Sequence, residues 1–262
     1  MYKIAIIGYG YVGKSQLGLW ISNEHYSVII YDPAQTLTTK EEVNSCDLAI
    51  VCVPTSQKSD GSCDISIVEE VISWIQTPVI EIKSTVPPGT TDYLCRKYKK
   101  RIIFSPEFIG EGKYYDRYNY SDNVIATPYF IFGGVREDCR YVFNLLVKIT
   151  GPSKKYQFVS SREAEMTKYV NNCFLATKVT FSNEIKKICE AMKIDYEVVR
   201  ELWTLDPRVN KSHTIVFENE RGFGGKCLPK DLSALVKHSQ IYNYDPQFLK
   251  EVQKSNERFK EE

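Results

Sequence analysis

The sequence predicts an α/β fold: a doubly wound parallel sheet over residues 1–159, then an all-α region over 160–262 built on one long central helix. Three observations carry this prediction. Short apolar, β-rich runs alternate with helical stretches through the first 159 residues, the pattern of successive βαβ units. A glycine string, Gly8-Tyr9-Gly10-Tyr11-Val12-Gly13, stands between the first strand and the first helix. From Ser160 to about Met192 there is neither glycine nor proline, which reads as a single helix of roughly 48 Å at 1.5 Å per residue.

Residues 2–7 read as a buried strand and 14–23 as a helix with Leu17, Trp20 and Ile21 on its inner side. A glycine string alone says little. Between a strand and a helix it makes a tight turn and lets a pyrophosphate meet the helix N-terminus. The second strand, 27–31, ends in Asp32, about twenty residues after the glycines, where a carboxylate holds the ribose hydroxyls and repels a 2′-phosphate, favouring NAD over NADP. A short helix at 40–45 and a third strand at 47–53 follow, stopped by Pro54. A helix at 64–76, a strand at 79–83, a helix at 91–98 and a strand at 102–104 continue the alternation. Two polar turns follow strands: Ser84-Thr85-Val86-Pro87 and Ser105-Pro106-Glu107-Phe108-Ile109-Gly110-Glu111-Gly112. Parallel sheets bind ligands at such carboxyl ends. Glu107 and Glu111 are suited to acid–base work or to holding ribose, or are simply exposed loop carboxylates. Further strands are expected at 124–126, 130–132 and 156–159, with a helix at 137–148.

Ser160 and Glu163 make a capping box at the start of the long helix. Met166, Val170 and Cys173 form an apolar stripe on it, a face that favours dimerisation. Lys168 and Asn172 lie one turn apart on another face, which for these residue types is as a rule solvated. Asp195 caps a shorter helix through Trp203, and a last helix spans about 246–260, with a polar tail from Lys254 to Glu262 expected to fray.

Gly222-Phe223-Gly224-Gly225-Lys226-Cys227-Leu228-Pro229-Lys230-Asp231 is the densest chemical signal. Pro229 suits the first turn of a helix over 230–242, with Leu232, Leu235, Val236 and Ile241 as its apolar positions. Cys227 then sits just before a helix N-terminus with Lys226 and Lys230 beside it, three influences that favour the nucleophilic thiolate. The plainer alternative is a buried structural cysteine.

The bulk properties narrow the function. Thirty-four Lys and Arg against thirty-three Asp and Glu give a net charge of +1, so nothing points to nucleic acid or an anionic membrane surface. No apolar run reaches membrane-spanning length, and Met1-Tyr2-Lys3-Ile4 runs straight into a strand without a signal-peptide layout. Eight cysteines without a C-x-x-C pair argue against a zinc site or any other metal site and for free thiols in a cytoplasmic protein.

Together these motifs, with Val53-Pro54-Thr55, Lys168-Tyr169-Val170-Asn171-Asn172 and Asp206-Pro207-Arg208, resemble the nucleotide-sugar 6-dehydrogenase family, in the family's order and over nearly the whole chain. The resemblance implies a Rossmann NAD-binding domain over 1–159 and a helical central, dimerising domain over 160–262 that carries the cysteine loop. It implies oxidation of a sugar C6 alcohol to the carboxylate with two NAD⁺, on a nucleotide sugar of the UDP-glucose type. In that scheme Asp231 positions a water for proton removal, and Lys168 and Asn172 stabilise developing negative charge. Cys227 traps the aldehyde as a thiohemiacetal that a second hydride transfer turns into a thioester. Glu107, assisted by Thr85, activates the hydrolytic water. The cofactor falls to Gly8, Gly10, Tyr11, Val12, Gly13 and Asp32, with Val53, Pro54, Thr55, Ser84, Thr85, Glu111 and Lys230. The substrate falls to Glu107, Phe108, Ile109, Lys168, Asn172, Phe223 and Gly224, with Arg208 reaching in from a neighbouring subunit.

The chain also departs from the family pattern. Only about thirty residues follow Asp231, so the nucleotide-binding domain usual at that end is expected to be absent. Nucleotide binding then falls to a partner chain or a dimer mate. Two other readings stay open: a non-catalytic or partner-dependent NAD-binding remnant, and a β-hydroxyacid-type dehydrogenase with a smaller substrate. The second has no need of Cys227, since a two-electron oxidation requires no covalent trap.

Overall fold

Strand pairing decides the architecture, and in the computed structural model, which describes residues 1–110 and 124–261, it produces one seven-stranded sheet. The strands are β1 (Tyr2–Ile7), β2 (Tyr26–Tyr31), β3 (Leu48–Val51), β4 (Val79–Ile82), β5 (Ile102–Phe104), β6 (Tyr129–Gly133) and β7 (Lys155–Val159), in the order β2-β1-β3-β4-β5-β6-β7. The first five are parallel. The order turns back at β1, with β2 on one side and β3 to β5 on the other, as a doubly wound sheet requires.

Both faces are covered, and a period-two alternation divides the strand residues between them. Ala5, Ile7, Ala49, Val51, Ile80 and Ile82 pack with Val43, Val68, Ile72 and Leu94 from α2 (Lys40–Asn44), α3 (Ser66–Trp74) and α4 (Thr90–Tyr98). Ile4, Leu48, Ile50, Val79 and Ile103 turn the other way, onto Leu19 and Trp20 of α1 (Tyr11–Trp20) and onto Val142, Leu145 and Leu146 of α5 (Arg136–Thr150). Each of the valine, leucine and isoleucine side chains contributes about 1.5–3 kcal/mol on full burial. That is why continuous apolar runs, rather than alternating ones, mark these strands.

Several expectations need correction. β6 runs antiparallel to β5, and β7 is parallel to β6, so the last two strands oppose the first five. A buried apolar run carries no sign of its direction, which the connection sets. Val124–Ala126 is a 3₁₀ turn, closed by the Thr127 N–H on the Val124 carbonyl, and not a strand. Ile21 caps the C-terminus of α1 and is exposed, while Leu19 takes the inward position.

The described residues divide into two compact units, 1–56 with 63–110 and 124–168, and 57–62 with 169–261. The helix α6 (Ser161–Met192) contributes its first two turns to the former. Its capping box forms as expected, with the Ser160 N–H donating to Glu163 Oε2 at 2.8 Å and the Glu163 N–H to Ser160 Oγ at 3.3 Å. The apolar stripe differs from the expected one. Met166 and Val170 are exposed and continue through Phe174, Phe181, Ile188 and Met192, whereas Cys173 is buried. Asp195 caps α7 (Tyr196–Trp203) by accepting from the Glu197 N–H at 2.9 Å.

Two more helices complete the second unit, α8 (Leu228–Ile241) and α9 (Gln247–Glu261). Ile241 is exposed at the end of α8, although Leu232, Leu235 and Val236 are buried. The tail is helical as far as Glu261, with Val252, Asn256 and Phe259 forming the buried stripe of α9. Among the described residues no helix is long and apolar enough to cross a membrane.

Candidate active site

The first unit carries a glycine loop built for close approach. Gly8 has φ +91°, and a Cβ there would stand 2.8 Å from the Cys52 carbonyl oxygen at the end of β3; a Cβ on Gly13 would stand 2.1 Å from the Gly8 carbonyl oxygen. A Cβ on Gly10, by contrast, would meet nothing within 4 Å. Gly10 is the N-cap of α1, without a side-chain cap and without an acidic residue in the first turn. The N-terminal amides of α1, among them those of Tyr11 and Val12, therefore present positive potential to an open space. Asp32 lies against the loop: its Oδ2 accepts from the Tyr9 N–H at 2.9 Å and from Gln35 Nε2 at 3.0 Å. A dinucleotide fits this donor set, with pyrophosphate at the helix end and a ribose near the carboxylate.

The loops after β3, β4 and β5 supply the other expected residues of this unit. Val53 and Thr55 are buried and Pro54 is exposed. Ser84 Oγ donates to the Val53 carbonyl at 2.7 Å, tying two of these loops together, and Thr85 is half-buried. Glu107 is buried at 7% exposure. Its Oε1 accepts from the Phe108 N–H at 2.9 Å and the Ile109 N–H at 3.4 Å, while Oε2 accepts from Gln16 Nε2 at 2.8 Å. Lys168 donates from Nζ to the Glu107 main-chain oxygen at 2.6 Å and lies over the Phe108 ring, 5.4 Å from its centre. Glu111 lies outside the described residues.

Beneath Glu107 is a cation that the sequence reading passed over. Lys83 is buried, 2.9 Å from Glu81 Oε1 and 3.0 Å from Ser105 Oγ. Burial pulls its ammonium down, but the Glu81 and Glu107 carboxylates outweigh that and hold it above the ordinary lysine range. Gln16 was passed over as well. The signal was available for both: a polar side chain at the i−3 and i−4 positions from Leu19 and Trp20, and a lysine closing a buried strand, break patterns that are otherwise apolar.

The second unit carries the cysteine loop. Cys227 is the N-cap of α8, and its carbonyl accepts from the Asp231 N–H at 2.9 Å. Asp231 is buried; Oδ2 accepts from Asn172 Nδ2 at 2.5 Å and Oδ1 from Lys230 Nζ at 2.5 Å. The Lys230 ammonium thus ties Asp231 to the first turn of α8. Asn172 is itself buried, not a solvated partner of Lys168. Phe223 is buried and Gly224 exposed. Two buried asparagines hold the turn leading to Cys227. Asn256 accepts from the Phe223 N–H at 2.6 Å and donates to its carbonyl at 3.0 Å, and Asn183 Oδ1 accepts from the Gly222 N–H at 3.2 Å. Arg208 is exposed and forks onto Asp206.

None of the eight cysteines is in a disulfide, and Cys227 is the exposed one. Burial raises the others that shift. Cys46 is pushed up to about 11, and Cys139 and Cys173 to about 12; Cys52 and Cys95 are raised too. Since the thiolate is the reactive form, iodoacetamide at neutral pH is expected to modify Cys227 first. Peptide mass mapping over a time course checks this, and equal labelling of Cys52, Cys139 and Cys173 contradicts it. Among the described residues no group of three or more His, Cys, Asp or Glu is placed to hold a metal.

Residues 34–147 match the NAD binding domain of the UDP-glucose/GDP-mannose dehydrogenase family, and residues 162–258 match its central domain. The Bacillus subtilis protein YtcA is 31% identical over 300 residues, covering 97% of this chain and 67% of its own. UDP-glucose 6-dehydrogenase of Pseudomonas aeruginosa is 31% identical and covers 86% of this chain and 52% of its own. The chain thus spans about half to two thirds of the length of such relatives. Among solved structures, a UDP-glucose dehydrogenase from Pyrobaculum islandicum superposes with a TM-score of 0.84 at 23% identity, over 98% of this chain and 68% of that one. A 3-hydroxyisobutyrate dehydrogenase from Mycobacterium tuberculosis superposes at 0.71 and 16% identity, over 99% of this chain and 94% of that one. At those identities the superpositions speak to the fold. Sequence kinship and fold agree: the chain belongs to the UDP-glucose/GDP-mannose dehydrogenase family and carries that family's NAD-binding domain.

Proposed function

We propose that this protein oxidises the C6 alcohol of a nucleotide sugar of the UDP-glucose kind to the carboxylate, in two hydride transfers with NAD⁺. The observation that carries the reading is the exposed Cys227 thiol at the N-terminus of α8, with Asp231 one turn on and fixed by Asn172. The sum is one alcohol, one water and two NAD⁺ giving one carboxylate, two NADH and three protons. When bound, the nicotinamide supplies the hydride acceptor.

In the first step Asp231 orders a water that takes the C6 hydroxyl proton, and Lys168 and Asn172 stabilise the alkoxide and aldehyde oxygen. Cys227 Sγ then adds to the aldehyde carbon, and the thiohemiacetal loses its hydride to leave a thioester. In the last step a water deprotonated by Glu107, with Thr85 assisting, attacks the thioester carbonyl. The C–S bond breaks and the carboxylate leaves. Phe108, Ile109, Phe223, Gly224 and Arg208 are assigned to the substrate, with Arg208 reaching it from a neighbouring copy.

A homodimer through α6 is part of this reading, supported by the exposed stripe from Met166 to Met192. A monomer by light scattering at micromolar concentration sinks that part. The free thiols fit a reducing, cytoplasmic setting. The substrate assignment is tested by incubating the protein with NAD⁺ and a panel of nucleotide sugars and weighing the products. Gain of one oxygen with loss of two hydrogens is expected for UDP-glucose. NAD binding with no product from any sugar favours instead a chain that binds cofactor and depends on a partner for turnover.

A further inference from the structure

Gln16 occupies a place on α1 that packing alone would give to an apolar residue. It is 1% exposed, on the side of the helix that also buries Leu19 and Trp20. A buried amide is tolerated where it is satisfied, and here the partner is Glu107 Oε2, 2.8 Å from Gln16 Nε2. The main-chain N–H groups of Phe108 and Ile109 hold the other oxygen, so the carboxylate is gripped from both ends. The titratable groups facing it come from several elements. Lys83, paired with Glu81, follows β4; Cys52 follows β3; Tyr129 opens β6; and Lys168 of α6 holds the Glu107 carbonyl.

We infer that Gln16 is a positioning residue for Glu107: its amide fixes the direction of the carboxylate. The inference rests on the hydrolytic role proposed for Glu107. In that step water attacks the Cys227 thioester, its proton passes to Glu107, and the thiolate departs. A carboxylate that has lost a donor points less consistently, so the rate of the step it serves falls.

The test uses the full chain with Gln16→Met, of similar length without the amide, and Gln16→Leu, of similar bulk with no polar atom. Intact-protein mass spectrometry during turnover with NAD⁺ and UDP-glucose reads the acyl adduct on Cys227. In Gln16→Met the adduct is expected to decay about 10- to 100-fold more slowly, as loss of a hydrogen bond to a charged group implies. The first NADH forms at the wild-type rate. A wild-type adduct lifetime in both variants overturns the inference. A substrate-free reading separates it from the parent proposal: the Glu107 carboxyl resonance in the ¹³C NMR spectrum, identified by its loss in Glu107→Gln, is displaced in Gln16→Met relative to wild type. No adduct in the wild type, with that displacement intact, rejects the hydrolytic role while the coupling stands. No displacement rejects the coupling.

Discussion

Cys227→Ser is expected to abolish formation of the acid, by a factor on the order of 10³ or more, the scale seen when a covalent nucleophile is removed. A serine oxygen stands where the sulfur stood but stays protonated at neutral pH, so the aldehyde is not captured and the second hydride has no thiohemiacetal to leave. Because Cys227 is exposed, folding is expected to be untouched, within about 0.5 kcal/mol. Thermal melting and NAD binding therefore stay at wild-type values while the carboxylate disappears from the product spectrum. A variant that still makes the acid at a comparable rate removes Cys227 from the chemistry. One that melts early shows a structural cysteine instead.

Lys168→Met is expected to act one step earlier. Its Nζ holds the Glu107 carbonyl at 2.6 Å and lies over the Phe108 ring, so the cation is fixed before any substrate arrives. Fixed charges aimed at a developing oxyanion are worth roughly 10²–10³ in rate. The first NADH should slow by about that factor, measured in a pre-steady-state burst. Lys168→Arg should recover only part of it, since a planar guanidinium does not replace a compact ammonium. An unchanged first step in Lys168→Met contradicts the assignment. The two variants thus divide the reaction: one blocks the second oxidation, the other the first.

How far the sequence could go depends on whether a residue's neighbours lie within a few positions of it. The glycine loop, Asp32 and the start of α8 are local patterns, and Asp231 follows Cys227 by a single turn, so all were legible in the one-dimensional string. Helix α6 was legible for the same reason, as an uninterrupted run behind a capping box. What the sequence could not supply were partners distant along the chain. Gln16 meets Glu107 across 91 positions, and Asn172 meets Asp231 across 59. Lys230 stands three residues from the thiol and is legible there; that its ammonium also meets Asp231 is seen only in the folded chain. The reversal of β6 belongs to the same class, since a strand's direction is set by its connection and not by its own residues. Exposure at helix ends was misjudged at Ile21 and Ile241, where apolar periodicity ran one residue past the last packed turn.

The central claim is a four-electron oxidation through one thiol. The amount of NADH released per molecule of UDP-glucose consumed, followed at 340 nm to completion with the acid quantified alongside, tests it most directly. Two NADH per sugar in the wild-type protein, with no acid from Cys227→Ser, is the predicted result. One NADH per sugar with an aldehyde or ketone as the final product contradicts it, because a two-electron dehydrogenase on this fold has no use for the thiol at the head of α8.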